Sequence, residues 1–585
     1  MRIISPNLRT IITVVLYFIF TGYASSQKIY KSGNAESFFS AVSDSLKMEI
    51  DKTVSQVTGI KPERTRRLLV FNLDLRNKKL QRGHPSLPYA NYAIQLMGKS
   101  SGAWETYFSG DTMVFIPETL NQFDALCFNN TAGVLFESKL LRQNLLDYIY
   151  EGGGFIGIHA AGATFCQYPV YDQFPEFGIM LGGYENGGHP WGPGDQISLK
   201  VDDPDNPVNR AFNKQNFIVK DEVFQFKDHY SNNRLRVLIS IDTVRTDMAM
   251  KRRILPERRA DGDIAISWIK PYGRGRVFYT SLGHNIDLNW NPTVLTHYLD
   301  GIQYAIGDLK APDVATRKLT PAMRAQEKMG WRLGIEAYTF RDKTLLETIE
   351  MTNELGLAYF GGLNEQQWVS KEIHKRLDYN LTDEEILVVR NKLIENGIRM
   401  LTYYIFDIPG DEATCRKIFE FGRKLGIEVF ISEPKIQDLD MIEKFCKEFN
   451  IKLAIHNHGL SLSPVYMHPE KIVELCKGRS PLIGAACDFG HWAKEGIDPL
   501  KAVKILKERV ITIQMHDQSE ITPNGRDVPW GTGQVQLAEI YKYLWSEKIT
   551  PVMFGIEYSY NWGKSLPEIK QSIEFFNSQT LKLSK

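Results

Sequence analysis

The sequence is poor in cysteine, carries no surplus charge and lacks a phosphate-cradling glycine loop, and each shortage argues against a class of function. Its six cysteines in 585 residues, Cys127, Cys166, Cys415, Cys446, Cys476 and Cys487, show no CxxC spacing and no dense framework. They read as small buried side chains rather than as a disulfide scaffold or a thiolate metal site. The 70 basic and 69 acidic residues leave a formal charge of +1. No basic track is present, which argues against nucleic acid as a partner and points to a small, uncharged or weakly charged substrate. GTG at Gly531 is a turn before a helix, without the spacing or the arginines of a phosphate site.

The apolar stretch from Ile11 to Phe20 is too short to span a bilayer comfortably. Arg2 and Arg9 precede it, and Ala24 and Ser26 are small residues placed for cleavage before Gln27. This is the pattern of a signal peptide over 1–26, with export to a periplasm or beyond and no integral membrane domain after its removal. An uncleaved anchor is the alternative. The absence of a following cysteine argues against lipid attachment. A chain of this length exceeds one core, so two or three domains are expected.

The last third is the most informative. Glu433, His456, Asp488, His516 and Glu557 each end a short apolar run: VFISE, KLAIH, IGAACD, ITIQMH and VMFGIE. Each run suits a buried parallel strand and is followed by a helical segment, and this alternation over about 250 residues predicts a (β/α)8 barrel. Side chains alternate faces along a strand. Ala454 therefore shares a face with His456 and His458, Ala486 with Asp488, Thr512 and Gln514 with His516, and Gly555 with Glu557. Ile511, Ile513, Met515, Phe554 and Ile556 are expected to face the surrounding helices. Imidazoles and carboxylates pointing inward from consecutive strands predict a divalent-metal site with mixed nitrogen and oxygen ligands.

Earlier in the chain, residues 27–65 form a polar extension with one amphipathic helix, marked by Phe38, Phe39, Val42, Leu46 and Ile50. From residue 66 to 308 strands and helices alternate again, with glycine-rich strand ends, which predicts a doubly wound sheet. GGGFIGIHAAGATF from Gly152, GGHP from Gly187, DEVFQF from Asp221 and GRGRVFYTSLGH from Gly273 resemble the ThuA, or trehalose-utilisation, family. The resemblance implies a class I glutamine-amidotransferase-like fold and a sugar-related role. At the elbow where amidotransferases carry a nucleophilic cysteine stands His159, followed by Ala160 and Ala161, and Cys166 lies beyond the turn. This argues against amidotransfer by a thiolate. His159, His189, Glu222 and His284 are expected in the cleft, to line a carbohydrate pocket, hold a metal or bond the loops over the sheet edge; Asp228 and His229 belong with them. Residues 309–330, with Pro312, Pro321 and few apolar side chains, read as a linker containing about one helical turn.

The barrel is expected over 331–585, with strands LGIEAY, LAYFGG, IRMLTYY, IEVFIS, IKLAIH, LIGAACD, VITIQMH and VMFGIE. LAIHNHG, CDFGHW, MHDQ and GIEYSYNW resemble the xylose isomerase-like, sugar phosphate isomerase/epimerase superfamily. By position the resemblance implies His456, Asp488, His516 and Glu557 as metal ligands. It also implies a metal-dependent isomerase or epimerase that removes a proton alpha to a sugar carbonyl, with Glu557 or Glu433 as the base. The pattern departs at His456, where many members carry glutamate. That departure weakens a symmetric pair of carboxylates, keeps lyase, dehydratase or hydratase chemistry on keto-sugars open, and favours Mn, Zn, Co or Ni over a strict Mg site. His458 and His491 are candidates to assist catalysis or bind substrate. Lys435 is a substrate contact or a solvated lysine. Trp492, Trp530 and Trp562 are sugar-stacking faces or loop anchors. A non-catalytic carbohydrate-binding protein is the second class, and an endonuclease of the same superfamily a third.

Overall fold

The computed structural model describes residues 29–31, 33–167, 173–185, 189–227, 230–248, 263–364 and 368–585. The expected signal segment at 1–26, the Asp228 and His229 positions, and the glycines of the GGHP motif lie outside them.

The first domain is built on a nine-stranded sheet. Five neighbouring strands, Gly275–Thr280, Gly154–Ile158, Ala125–Asn129, Arg66–Phe71 and Trp104–Ser109, run parallel, and four antiparallel strands extend the sheet beyond Gly275–Thr280. Arg66–Phe71 shows why both faces are covered. Leu68 and Val70 join a cluster with Ile50, Val54, Ile94 and Leu299, whereas Leu69 and Phe71 join a second cluster with Leu145, Ile149 and Phe177. A strand apolar on both parities is stable only between two helical layers. The helix Asp44–Val54, capped by the Ser43 side chain, supplies Ile50 and Val54 to the first of these layers.

The second domain is a closed barrel of eight parallel strands: Leu333–Glu336, Tyr359–Leu363, Arg399–Tyr404, Val429–Ser432, Lys452–His456, Ile483–Asp488, Val510–Met515 and Phe554–Ile556. Ile513, Met515, Phe554 and Ile556 face the helices, as their parity requires. Ile511 does not. The register between Ile483–Asp488 and Val510–Met515 slips at this point, so that Ala485 faces Val510 while Ala486 faces Thr512. The extra residue at the bulge turns Ile511 onto Val429, Ile431, Ala454 and Ala486 inside the barrel.

Between the domains, residues 309–330 hold the nine-residue helix Pro321–Met329, which packs on the C-terminal helix Leu566–Leu583. Arg274, at the hairpin before Gly275–Thr280, donates to the Phe449 and Asn450 carbonyls at 3.0 Å each. A cleft between the domains is lined by Gly152, Arg276, Tyr359, Arg399 and Lys452, all at or just before the starts of strands. The domains therefore meet at their amino-terminal strand ends, and the carboxyl-terminal ends of both sheets face away from the junction. Arg236, 1% exposed, ties the sheet domain to the linker helix: its guanidinium reaches Asp203 at 2.7 Å and grips Glu327 at 2.8 and 3.2 Å. Removing one partner leaves a buried charge uncompensated. Arg236→Met is expected to lower stability by about 3–5 kcal/mol, measured as an earlier urea transition; an unchanged transition refutes the assignment.

Candidate active site at the carboxyl end of the barrel

Three buried atoms without hydrogen-bond partners define the centre of the site. They are His456 Nε2, His516 Nε2 and Asp488 Oδ2. Both nitrogens face that oxygen, at 3.6 and 3.5 Å, too far for a good hydrogen bond. The other nitrogen of each imidazole is braced. His456 Nδ1 lies 3.0 Å from Glu433 Oε1, and His516 Nδ1 lies 2.8 Å from Asp527 Oδ1. Carboxylates holding Nδ1 and leaving Nε2 aimed inward is the arrangement that orients histidine ligands for a metal.

Asp488 is fixed from both sides. Its Oδ1 accepts the His491 backbone N–H at 2.7 Å, and its own N–H and carbonyl are bonded by the Asn457 side chain at 2.8 and 2.9 Å. Burial opposes its charge, but the surrounding imidazoles hold it well below the usual carboxylate range. Burial likewise opposes charge on His456, and contacts with Asp488 and Glu433 overcome it, raising the imidazole to about 9. The same balance, with Asp527 and Asp488, raises His516 well above its ordinary value. A cation in place of the Nε2 protons would satisfy all three orphan atoms, so the donor set fits a divalent metal.

Glu557 completes one side: it, Asp488 and His516 offer ligand atoms within 4.8 Å of one another, and Gln514 donates to it at 2.7 Å. His456, Asp488 and His491 form a second such group. The four expected ligands thus meet in two overlapping groups that share Asp488. Glu433 spends Oε1 on His456, His458 (2.9 Å) and the Tyr404 hydroxyl (3.1 Å). Despite burial, these bonds hold it ionised at about 2, which makes it a brace and a poor base. His458 and His491 stand together at the mouth, ring centres 4.4 Å apart.

Other candidates fall elsewhere. Lys435 is exposed and does not line the cavity. Trp492 is buried and donates Nε1 to the Met467 carbonyl, and Trp530 is buried near Phe576. Both are loop anchors because burial takes their ring faces. Trp562 is half-buried under the Arg341 guanidinium, 3.3 Å from its ring centre, and meets Tyr338 at the cavity rim.

Within the barrel, two residues that the sequence did not single out matter. Asp527, in the loop after the seventh strand, braces His516. Glu336 ends the first strand inside the same cavity of about 380 Å³. Burial above all, then the charge of Glu557, raises Glu336 to about 8. Glycines make room for it: a Cβ at Gly361 or Gly555 would lie 2.0 or 2.2 Å from its carboxylate oxygens. The ending LGIE, matching VFISE and FGIE, was the available signal for Glu336. Asp527 has no strand-end signal.

In the sheet domain, His159 and His284 lie beside Glu222, and His84 joins them; His189 is 3.7 Å from Glu222. Burial first, then neighbouring imidazoles, lowers His84 to about 4 and His159 well below its ordinary value.

The trehalose-utilisation (ThuA) family model matches residues 68–305, and the xylose isomerase-like TIM barrel model matches residues 435–579. The chain joins a ThuA domain to a xylose isomerase-like barrel. Among solved structures, an uncharacterised protein of Parabacteroides distasonis is 28% identical over 43% of this chain and 99% of its own, with a TM-score of 0.36. A ThuA-like protein of Bacteroides uniformis is 19% identical over 42% and 93%, TM-score 0.34. A xylose isomerase-like barrel of Mycobacterium smegmatis, solved with magnesium, is 12% identical over 44% and 99%, TM-score 0.36. No protein with a curated description matches. No helix among the described residues is long and apolar enough to cross a membrane.

If Glu433 and Asp527 brace the barrel's imidazoles, Asp527→Ala should weaken Mn(II) or Zn(II) binding by about 10–100-fold in a chelator-competition titration. Unchanged affinity would refute the bracing role.

Proposed function

We propose that the barrel removes a proton alpha to the carbonyl of a sugar or keto-sugar with the help of a divalent cation. The observation that supports this reading is the pair of carboxylate-braced imidazoles converging on Asp488 Oδ2. His456, Asp488, His516 and Glu557 would hold the cation, a set with two nitrogens and two carboxylates that favours Mn, Zn, Co or Ni over Mg. A cation bound there supplies polarisation of the substrate carbonyl, which stabilises negative charge developing on its oxygen.

The protein's own groups then divide between two walls. Glu336 and Glu557 end adjacent strands, since Leu333–Glu336 pairs with Phe554–Ile556, so both approach a substrate from one side. His458 and His491 follow the fifth and sixth strands and face them across the cavity. We assign proton removal to the carboxylate wall. Return to the neighbouring carbon from that wall gives isomerisation, and delivery from the imidazole wall gives epimerisation. Elimination or hydration on a keto-sugar or keto-glycoside is a second reading, favoured by His456, which removes one of two carboxylates expected across the barrel, and by Glu433, which is committed to bracing. The substrate is read as a small carbohydrate, and Arg2, Arg9 and the apolar stretch before Ala24 support an exported protein.

The test is a panel of free sugars, keto-sugars and glycosides incubated in deuterated water and followed by NMR. The proposal expects solvent deuterium at the carbon beside the carbonyl, its loss after chelation and its return with metal. Glu336→Gln is expected to slow exchange by about 10²–10⁴-fold while retaining metal. Binding without exchange or product across the panel, in metal-loaded protein, would overturn the enzymatic reading in favour of a carbohydrate-binding protein.

A further inference from the structure

The barrel site leaves a second group of imidazoles unused. His84, His159, His284 and Glu222 lie at the carboxyl end of the ThuA sheet and each offers one ligand atom, all within 4.8 Å of one another. They come from four separate segments: His84 from the loop before helix Leu87–Ser101, His159 from the end of strand Gly154–Ile158, Glu222 from the turn after strand Phe217–Lys220, and His284 from the turn after strand Gly275–Thr280. Side chains from four parts of the sequence meeting at one strand-end crevice form a built site.

Two observations give that site a direction. His159 is fully buried, and its Nδ1 donates to the Ser281 carbonyl at 2.8 Å. That bond fixes the proton on Nδ1 and leaves Nε2 as a lone-pair acceptor, and Nε2 is buried with no hydrogen-bond partner. His84 Nδ1 is likewise buried and unpartnered. A hydrogen-bonding explanation of the cluster leaves these two nitrogens unsatisfied, a cost that metal coordination removes.

The backbone around the group is held in place. His159 has φ +46, a left-handed conformation uncommon for a residue with a side chain, and its carbonyl accepts from Tyr279 Oη at 2.8 Å. Asp221 accepts from the backbone N–H groups of Gly283, His284 and Asn285 at 2.8, 3.4 and 2.9 Å, which pins the loop carrying His284. Phe224 lies against the His159 ring at 4.6 Å between centres. The strain at His159 and the tethers around it are the cost and the means of keeping one nitrogen aimed into the crevice.

We propose that the ThuA domain holds its own divalent transition metal, bound by His84, His159, His284 and Glu222 and separate from the barrel's cation. Three imidazoles and one carboxylate select a borderline ion such as Zn, Co, Ni or Fe(II) over Mg or Ca, which prefer all-oxygen shells. His189, 3.6 Å from Glu185 and 3.7 Å from Glu222, stands beside the group as an outer partner. Because the domains join at the opposite ends of their strands, the two centres face away from each other and each is open to its own ligand.

The experiment is a Co(II) titration of chelator-stripped, full-length protein, read by visible absorption and by metal analysis after gel filtration. The proposal expects two ions per chain. His84→Ala and, independently, Glu222→Gln should each weaken one of them by more than the roughly 10–100-fold that loss of an outer partner costs, with far-UV circular dichroism unchanged. His516→Ala should remove only the other. One ion per chain, lost with His516→Ala and indifferent to both sheet-domain variants, would overturn this inference and leave the barrel reading intact. One ion lost with His84→Ala or Glu222→Gln and indifferent to His516→Ala would support it and count against the barrel centre.

Discussion

Asp488 is a carboxylate removed from water, and the carboxyl end of the barrel is arranged around the need to compensate it. An isolated buried charge is expensive, and it is stable only when surrounded by opposite charge and hydrogen-bond donors. The His491 N–H, donating to Oδ1, satisfies part of that need, while Asn457 holds the Asp488 backbone in place. The imidazoles of His456 and His516 supply the rest, and each is itself steadied by a further buried carboxylate, Glu433 or Asp527. The result is an alternation of acid and imidazole across four consecutive strand ends and the loop that follows the fourth. At its centre two Nε2 atoms and one oxygen are left without hydrogen-bond partners.

This arrangement gives similar residues unlike tasks. Glu433 and Glu557 both end apolar strands, yet Glu433 is bound by three donors while Glu557 accepts from Gln514 and shares the cavity with Glu336. Environment, more than residue type, separates a brace from a carboxylate left facing the cavity. At the level of the whole chain, Arg274 bonds the barrel and Arg236 the linker helix from the starts of the sheet's strands, which keeps both crevices clear. Among the described residues, those lining the barrel cavity all come from the barrel itself.

Much of this was legible in the sequence because strand parity is a rigid rule. The eight apolar runs, the inward imidazoles and carboxylates, and the outward Ile513, Met515, Phe554 and Ile556 follow from period two alone. Parity failed at Ile511, where a bulge inserts one residue and reverses the face. Such a slip depends on pairing with the neighbouring strand, which a single segment does not encode. Asp527 was invisible because a long loop can deliver a side chain from any position along it. His84 was missed for the same reason, since nothing in the RGHPS segment marks it as a partner of His159. Trp492 and Trp530 follow strand-end motifs, but whether an aromatic ring covers a sugar or fills a gap beneath a loop depends on packing, and here burial takes both.

The central claim is that the braced imidazoles wait for a cation beside Asp488. Anomalous diffraction from crystals of the full chain grown with Mn(II) tests it most directly. The account predicts a peak about 2.0–2.3 Å from His456 Nε2, His516 Nε2 and an Asp488 carboxylate oxygen, in the range of protein–metal bonds. Imidazoles that keep their 3.5–3.6 Å spacing from Asp488 with no peak between them, at saturating metal, would contradict it.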